Sequence, residues 1–202
     1  MKKILQVSAV AALAVLLIAC GGKSPDDMRS FSTLMGMIED GRQKQLAGDV
    51  ESAEEAFDAA EAFSTEHQHD KVPLTVEDPI PFVADEGMEI GEWDFQTQEM
   101  MFSATLKANQ DIKADDLEKL ENSIALVGMC GDEPLVAIQV SLWQPDDEKE
   151  TDSSSGASIV QGKTVHMNAV FTVSTTKIDH FVLVGPDDER FLNAQDKQQR
   201  TM

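Results

Sequence analysis

Tyrosine is absent from this chain of 202 residues, and tryptophan and cysteine occur only twice each. With so few flat aromatic rings, a stacking platform for sugars or nucleic-acid bases is poorly supplied. Basic residues are scarce as well: 16 lysines and arginines stand against 37 acidic residues, which gives a formal net charge of −21. Because a nucleic-acid-binding protein needs a basic face to neutralise phosphates, the composition disfavours that class. Hydrophobic residues make up 42% of the chain, so a folded core is expected.

The first twenty residues begin with Lys2 and Lys3 and continue as an apolar run. Residues 4–19 carry no charged side chain, and a run of this length is short for a transmembrane helix but typical of a signal peptide. It ends in Leu17-Ile18-Ala19-Cys20-Gly21, which resembles the lipobox of bacterial lipoprotein signal peptides. The resemblance implies that residues 1–19 are removed, that Cys20 is diacylated, and that residues 20–24 form a lipidated tether. The alternative is a soluble secreted protein whose signal peptide happens to end near a cysteine.

The lipobox also implies a location and a class of partner. Two or three acyl chains anchor a protein stably, so we expect the Cys20 lipid to hold the protein on the bacterial membrane. Gly21, and not Asp, follows the cysteine, which implies the outer membrane facing the periplasm if the cell is Gram-negative. Cleavage removes two lysines and no acidic residue, so the formal net charge becomes −23. Charged partners are therefore expected to be basic proteins, peptides or cations, and not nucleic acid.

The second cysteine, Cys130, ends an apolar run over 124–130. Acylation of Cys20 would exclude an intramolecular disulfide. We therefore expect Cys130 to be a buried, inert thiol, with an intermolecular disulfide or a reactive thiol as the alternatives.

A helical hairpin is predicted over residues 25–70. Ser24 is suited to cap the first helix and Pro25 to occupy its first position. Gly48 breaks the helical pattern and Asp49 is suited to cap the second helix. Apolar residues recur at helical spacing on one face of each helix, which indicates that both faces are buried. They include Phe31, Leu34, Met35 and Ile38 in the first helix, and Ala53, Phe57, Ala60 and Phe63 in the second.

Residues from about 33 to 66 resemble a single tetratricopeptide (TPR) helix pair. The matching positions are Gly41, Gly48, Ala53, Phe57 and Ala60. The resemblance implies docking of a peptide or protein, and a lone unit must bury its apolar face on a neighbouring domain or on another chain. The alternative is an amphipathic hairpin that merely resembles the repeat. The residues expected to form a partner-binding face are Phe31, Leu34, Ile38, Phe57 and Phe63.

The rest of the chain has the alternating pattern of β-strands. Prolines at 73, 79 and 81 mark a linker over 71–86. About seven short strands are predicted over 87–193, with one helical turn near 115–120, and residues 194–202 are expected to be a polar tail. This spacing is typical of an antiparallel, immunoglobulin-like β-sandwich. The predicted fold class is therefore α+β, with an N-terminal helical hairpin followed by that sandwich.

Two clusters of candidate metal ligands stand out. An acidic loop carries carboxylates that could hold Ca²⁺, although the ordered spacing of a calcium loop is missing and a solvated loop is the alternative. Its acidic residues are Asp146, Asp147, Glu148, Glu150 and Asp152. His67 and His69 are two residues apart and could ligate Zn²⁺ or Cu²⁺, but two ligands do not complete a site.

No catalytic or phosphate-binding motif is found, so no cofactor is expected and the protein is not expected to be an enzyme. The function predicted is that of a membrane-anchored lipoprotein acting as a non-catalytic protein-interaction or accessory subunit in the cell envelope. The alternative is a periplasmic ligand- or cation-binding lipoprotein that uses the acidic loop. An enzyme whose site cannot be seen in the sequence is a third hypothesis.

Overall fold

The structure, a computed structural model, describes residues 28–144, 157–172, 177–185 and 187–201. The helices in these residues are α1 (Arg29–Leu46), α2 (Val50–Glu66), α3 (Ala114–Glu121) and α4 (Glu189–Thr201). The first strands are β1 (Lys71–Val72), β2 (Leu74–Val76), β3 (Phe82–Asp94), β4 (Glu99–Ala108) and β5 (Ile112–Lys113). The later strands are β6 (Ala125–Cys130), β7 (Glu133–Trp143), β8 (Ala157–Ile159), β9 (Thr164–Thr172) and β10 (His180–Val184).

Eight of these strands form one sheet in the order β1-β3-β4-β9-β7-β6-β10-β2. Its two edge strands, β1 and β2, are consecutive in the chain and are separated only by Pro73. β1 pairs antiparallel with β3, whereas β2 pairs parallel with β10. The Pro73 carbonyl accepts a hydrogen bond from the Phe181 backbone N–H at 3.4 Å. The segment 71–76 therefore connects the two edges and nearly closes the sheet into a barrel.

The sheet has two halves that share β7. The β4 half contains β1, β3, β4 and β9, and β7 joins it through residues 140–143. The β6 half contains β6, β10 and β2, and β7 joins it through residues 133–139. The predicted α+β class is confirmed, but the immunoglobulin-like sandwich is not. The two halves are joined through β7 on one side and through the segment 71–76 on the other, whereas a sandwich would keep two separate sheets.

The two N-terminal helices form the predicted hairpin. Gly48 has φ +81° at the turn, and the Asp49 side chain accepts a hydrogen bond from the Ser52 backbone N–H at 3.3 Å, which caps α2. A Cβ atom on Gly41 would lie 2.5 Å from the Phe57 ring, so glycine permits the close crossing of α1 and α2. The expected helix start at residues 24 and 25 lies outside the described residues.

The hairpin packs into the concave side of the sheet and shares one core with it. The Phe31 ring centroid lies 5.8 Å from that of Phe102 on β4 and 5.6 Å from that of Phe181 on β10. Phe31 therefore contacts both halves of the sheet at once. In the second helix, the Phe57 ring lies 5.8 Å from that of Trp93 on β3. Burial of apolar area in this single core is the main source of stability.

Two of the predicted boundaries are wrong. The expected linker at 71–86 supplies β1, β2 and the first part of β3. The expected polar tail is α4, which covers the outer side of the β6 half and buries Ala194 against Val127 and Val182. Near the end of α4, the Gln198 side-chain amide forms two hydrogen bonds of 3.3 Å with the backbone N–H and carbonyl of Ala137. These bonds pair the Ala137 backbone in the part of β7 that does not pair with β9. Within the described residues, no helix is both long and apolar enough to cross a membrane.

Candidate functional site

The residues predicted to form a docking face on the hairpin lie inside the protein. Phe31, Leu34, Ile38 and Phe57 are at most 2% exposed. Phe63 is partly buried and packs against the same core, with its ring 4.1 Å from the His67 ring. The concave sheet already covers this face, so these side chains have no surface to offer a partner. This corrects the expectation that they bind one.

The predicted lipidation site and the predicted calcium ligands cannot be placed. Cys20 and the five acidic residues of the loop, Asp146 to Asp152, lie outside the described residues. In the described part of the chain, no group of three or more histidine, cysteine or acidic side chains is arranged to hold a metal ion. The two histidines proposed as a pair have separate partners: the Nδ1 of His67 lies 2.9 Å from Asp70 Oδ2, and that of His69 lies 3.0 Å from Glu89 Oε2.

Cys130 ends β6 and is 5% exposed, so its expected burial is confirmed. Whether its sulfur is an inert thiol or takes part in a disulfide stays a prediction.

A cluster of Ser30, His67 and Asp70 has the residue types of a hydrolytic triad but not its geometry. The Asp70 carboxylate accepts a hydrogen bond from the Ser30 hydroxyl and also lies 2.9 Å from the Nδ1 of His67. In a working triad, the serine and the acid contact opposite nitrogens of the imidazole ring. Here Ser30 also faces Nδ1, at 3.5 Å. These contacts lower the pKa of Asp70, the Ser30 hydrogen bond most of all, and join the start of α1 to the end of α2.

The outer side of the β4 half carries the largest exposed apolar side chains of the sheet. Met101 on β4 and Val170 on β9 are register partners and are 49% and 53% exposed. Trp143 on β7 is the register partner of His166, is 47% exposed, and stacks on that imidazole with ring centroids 4.5 Å apart. By contrast, α4 covers the outer side of the β6 half. We refer to the surface that carries Met101, Trp143 and Val170 as the open face.

A cleft of about 380 Å³ lies beside these residues on the open face. It exists because β3 bulges away from its pairing with β4 between Ala84 and Met88. Gly87 lies in this bulge with φ +92°, and a Cβ atom there would lie 2.7 Å from the Val72 carbonyl oxygen. The bulge and β4 line the cleft with charged, hydroxyl and imidazole groups. Its polar lining consists of Lys71, Asp85, Glu86, Glu89, Ser103, Thr105 and His166.

The charged groups of the cleft are paired with one another or with neighbours. Lys107 Nζ lies 2.9 Å from Asp85 Oδ1. Lys71 donates a hydrogen bond to Glu86, which raises the pKa of the Lys71 ammonium, and its Nζ lies 3.9 Å from Glu89 Oε1. Each carboxylate of the cleft therefore has a cationic or imidazole partner.

The uncharged polar side chains are different. Within the described part of the chain, no hydrogen bond is found for the side chains of Ser103, Thr105, Ser141 and Asn168. Ser103, Asn168 and Ser141 are register neighbours on β4, β9 and β7 and form one row across the open face. These groups are available to a ligand without breaking an internal bond.

No protein-family model, curated protein or solved structure matches this chain.

Proposed function

We propose that the protein is a lipid-anchored, non-catalytic accessory protein of the bacterial cell envelope that binds an envelope component through its open face. The anchor is the acylated Cys20 implied by the lipobox sequence. Two or three acyl chains on one residue hold a protein firmly enough for a permanent location on the membrane. The rest of the chain then presents a folded domain next to that membrane.

The observation that carries the proposal is the unequal covering of the two halves of the sheet. The hairpin fills the concave side and α4 covers the outer side of the β6 half. Met101, Trp143 and Val170 on the other outer side remain about half exposed. Exposed aromatic and apolar side chains that are grouped and bordered by polar residues are typical of binding surfaces.

The geometry favours binding over catalysis. Ser30, His67 and Asp70 have nucleophile, base and acid side chains, but the serine and the acid face the same imidazole nitrogen. The cleft on the open face has its charged groups in ion pairs, which fix the position of side chains and do not activate them.

A pair of photo-crosslinking variants tests the proposal in living cells. A photoreactive amino acid replaces Ser141 on the open face, and the matched control carries it in place of Asn193 on α4, which is also exposed. We expect one defined envelope component to be crosslinked at position 141 and not at position 193. Identical products at the two positions, or no specific product at position 141, would overturn the proposal.

A further inference from the structure

We propose that the cleft between the β3 bulge and β4 binds a saccharide. This inference rests on the proposed function, because it names the chemistry of the envelope component that the open face binds. It concerns the cleft and the row of polar side chains beside it. The volume of about 380 Å³ lies in the range of small-ligand sites.

The lining of the cleft offers hydrogen-bond donors and acceptors side by side. The hydroxyls of Ser103 and Thr105 both donate and accept, Lys71 donates, and Glu89 accepts. Every hydroxyl of a sugar ring likewise both donates and accepts. A polyhydroxylated ligand therefore satisfies this lining more completely than a ligand with acceptors alone or donors alone.

The charge pairing in the cleft disfavours ions as ligands. An amine or a metal cation would have to displace Lys107 from Asp85 or Lys71 from Glu86. A phosphate would meet the three carboxylates of the cleft with only one lysine among the lining residues. An uncharged ligand avoids both the displacement and the repulsion.

Trp143 supplies the apolar part of the site. One face of its ring stacks on His166, which lines the cleft, and the rest of the indole is 47% exposed beside the cleft. Sugar rings have one apolar face of C–H groups, and such faces pack well on an aromatic ring with a polar border. The scarcity of aromatic residues argued against a sugar platform, but one of the two tryptophans is half exposed beside this cleft.

The polar row extends the site across the sheet. Asn168 and Ser141 follow Ser103 on the next two strands, and adjacent strands are about 4.8 Å apart. The row therefore reaches about 10 Å beyond the cleft, which is longer than one sugar ring. We infer that the ligand is an oligosaccharide lying across β4, β9 and β7.

Titrations with defined saccharides test the inference. Chitotriose, cellotriose and maltotriose are added to the folded protein at up to about 10 mM. This concentration detects binding even where the dissociation constant is as weak as about 1 mM. Tryptophan fluorescence is recorded in a Trp93→Phe background, so that Trp143 is the only reporter. This background is suitable because the buried indole N–H of Trp93 has no hydrogen-bond partner among the described residues. Backbone amide shifts measured by NMR locate the bound sugar.

We expect at least one of the three saccharides to change the Trp143 emission and to shift amides of β4 and β9. Ser103→Ala and Trp143→Ala, read by NMR, are expected to weaken binding at least tenfold. Leu192→Ala on α4, where the side chain is similarly exposed, is the matched control and should bind as the parent does. Thermal unfolding of each variant checks that the fold is retained.

The inference is overturned if none of the three saccharides binds, or if Ser103→Ala and Trp143→Ala bind as tightly as Leu192→Ala. Failure of this inference can be told apart from failure of the proposed function. A specific crosslink at position 141 to a protein, together with no saccharide binding, would leave the proposed function standing and remove the saccharide. If neither a specific crosslink nor saccharide binding is found, the proposed function and the saccharide inference are both overturned.

Discussion

Arg190 at the start of α4 holds Glu77, which lies 113 residues earlier in the chain between β2 and β3. The guanidinium donates two hydrogen bonds to this carboxylate, at 2.9 and 2.5 Å, and two more to Asp188, at 2.9 and 2.7 Å. Planar bidentate pairs of this kind are among the stronger ion pairs that side chains form. The contact joins the last helix to the residue that follows β2, next to the segment 71–76 that nearly closes the sheet.

Glu77→Gln should loosen α4 from the sheet. Because the Glu77 side chain is 41% exposed and solvent screens the pair, we expect a loss of only about 1 kcal/mol in the free energy of unfolding. Urea denaturation measures this loss. Glu133→Gln removes the more exposed pair with Lys197 on the same helix and is the control. A larger loss for Glu133→Gln than for Glu77→Gln would contradict the account.

The same contact makes stability depend on acid pH. Arg190 lowers the pKa values of Glu77 and Asp188, mainly by hydrogen bonding to their ionised forms. A carboxyl whose pKa is lowered by folding stabilises the protein above its unfolded pKa, and this stabilisation is lost as the pH falls through the folded pKa. We therefore expect stability to fall below about pH 4. A Glu77→Gln/Asp188→Asn variant should lose less over that range, and an equally steep loss would contradict the assignment.

Phe31 tests whether the hairpin belongs to the core. It is fully buried between β4 and β10, so Phe31→Ala should cost about 3–5 kcal/mol of unfolding free energy. Leu46→Ala at the tip of the hairpin, where the side chain is 82% exposed, should change stability by no more than about 0.5 kcal/mol. Calorimetric or chemical unfolding compares the two. Equal, small effects would mean that the hairpin does not pack on the sheet.

Gly87 tests the origin of the cleft. Gly87→Ala combines a positive φ with a contact of 2.7 Å to the Val72 carbonyl oxygen, so we expect a loss of about 1–3 kcal/mol and a distorted cleft. Gly162→Ala is the matched control, because Gly162 has φ +85° but open space around the added Cβ atom. The difference between the two unfolding free energies measures the contact alone. If the two variants unfold alike, close packing at Gly87 does not shape the bulge.

The sulfur of Cys20 offers a direct test of the anchor. Protein extracted from membranes is digested and its N-terminal peptide is analysed by mass spectrometry. We expect a peptide that begins at Cys20 and carries a thioether-linked diacylglycerol. An N-terminus at any other residue, or a Cys20 that carries no lipid, would contradict the anchor.

Sequence periodicity predicted the core strands well. Met100, Phe102, Ala104 and Leu106 alternate along β4, and all four are buried as the pattern indicates. The same alternation places Met101 and Ser103 on the opposite side. The alternation could not show that the side of β4 with Met101 and Ser103 stays exposed, since that depends on where α4, a helix distant in the chain, packs.

The missed elements are short or polar. β1 and β2 have two and three residues on either side of Pro73, so they look like a linker until long-range pairing places them at the two edges of the sheet. α4 is rich in polar side chains, and its apolar contacts with the sheet come from Ala194 and Phe191, too few for a clear apolar face. The cleft depends on the bulge at Gly87, a backbone feature that alternation alone does not predict.

Oxidative footprinting of the open face tests the central claim most directly. Hydroxyl-radical labelling is compared between the purified domain and the protein in intact envelopes, at Met101 and Trp143 on the open face and at Leu192 on α4, which are similarly exposed. We predict that Met101 and Trp143 are protected in the envelope and that Leu192 is labelled equally in both samples. Equal labelling of Met101 and Trp143 in the two samples would show that nothing binds the open face and would contradict the account.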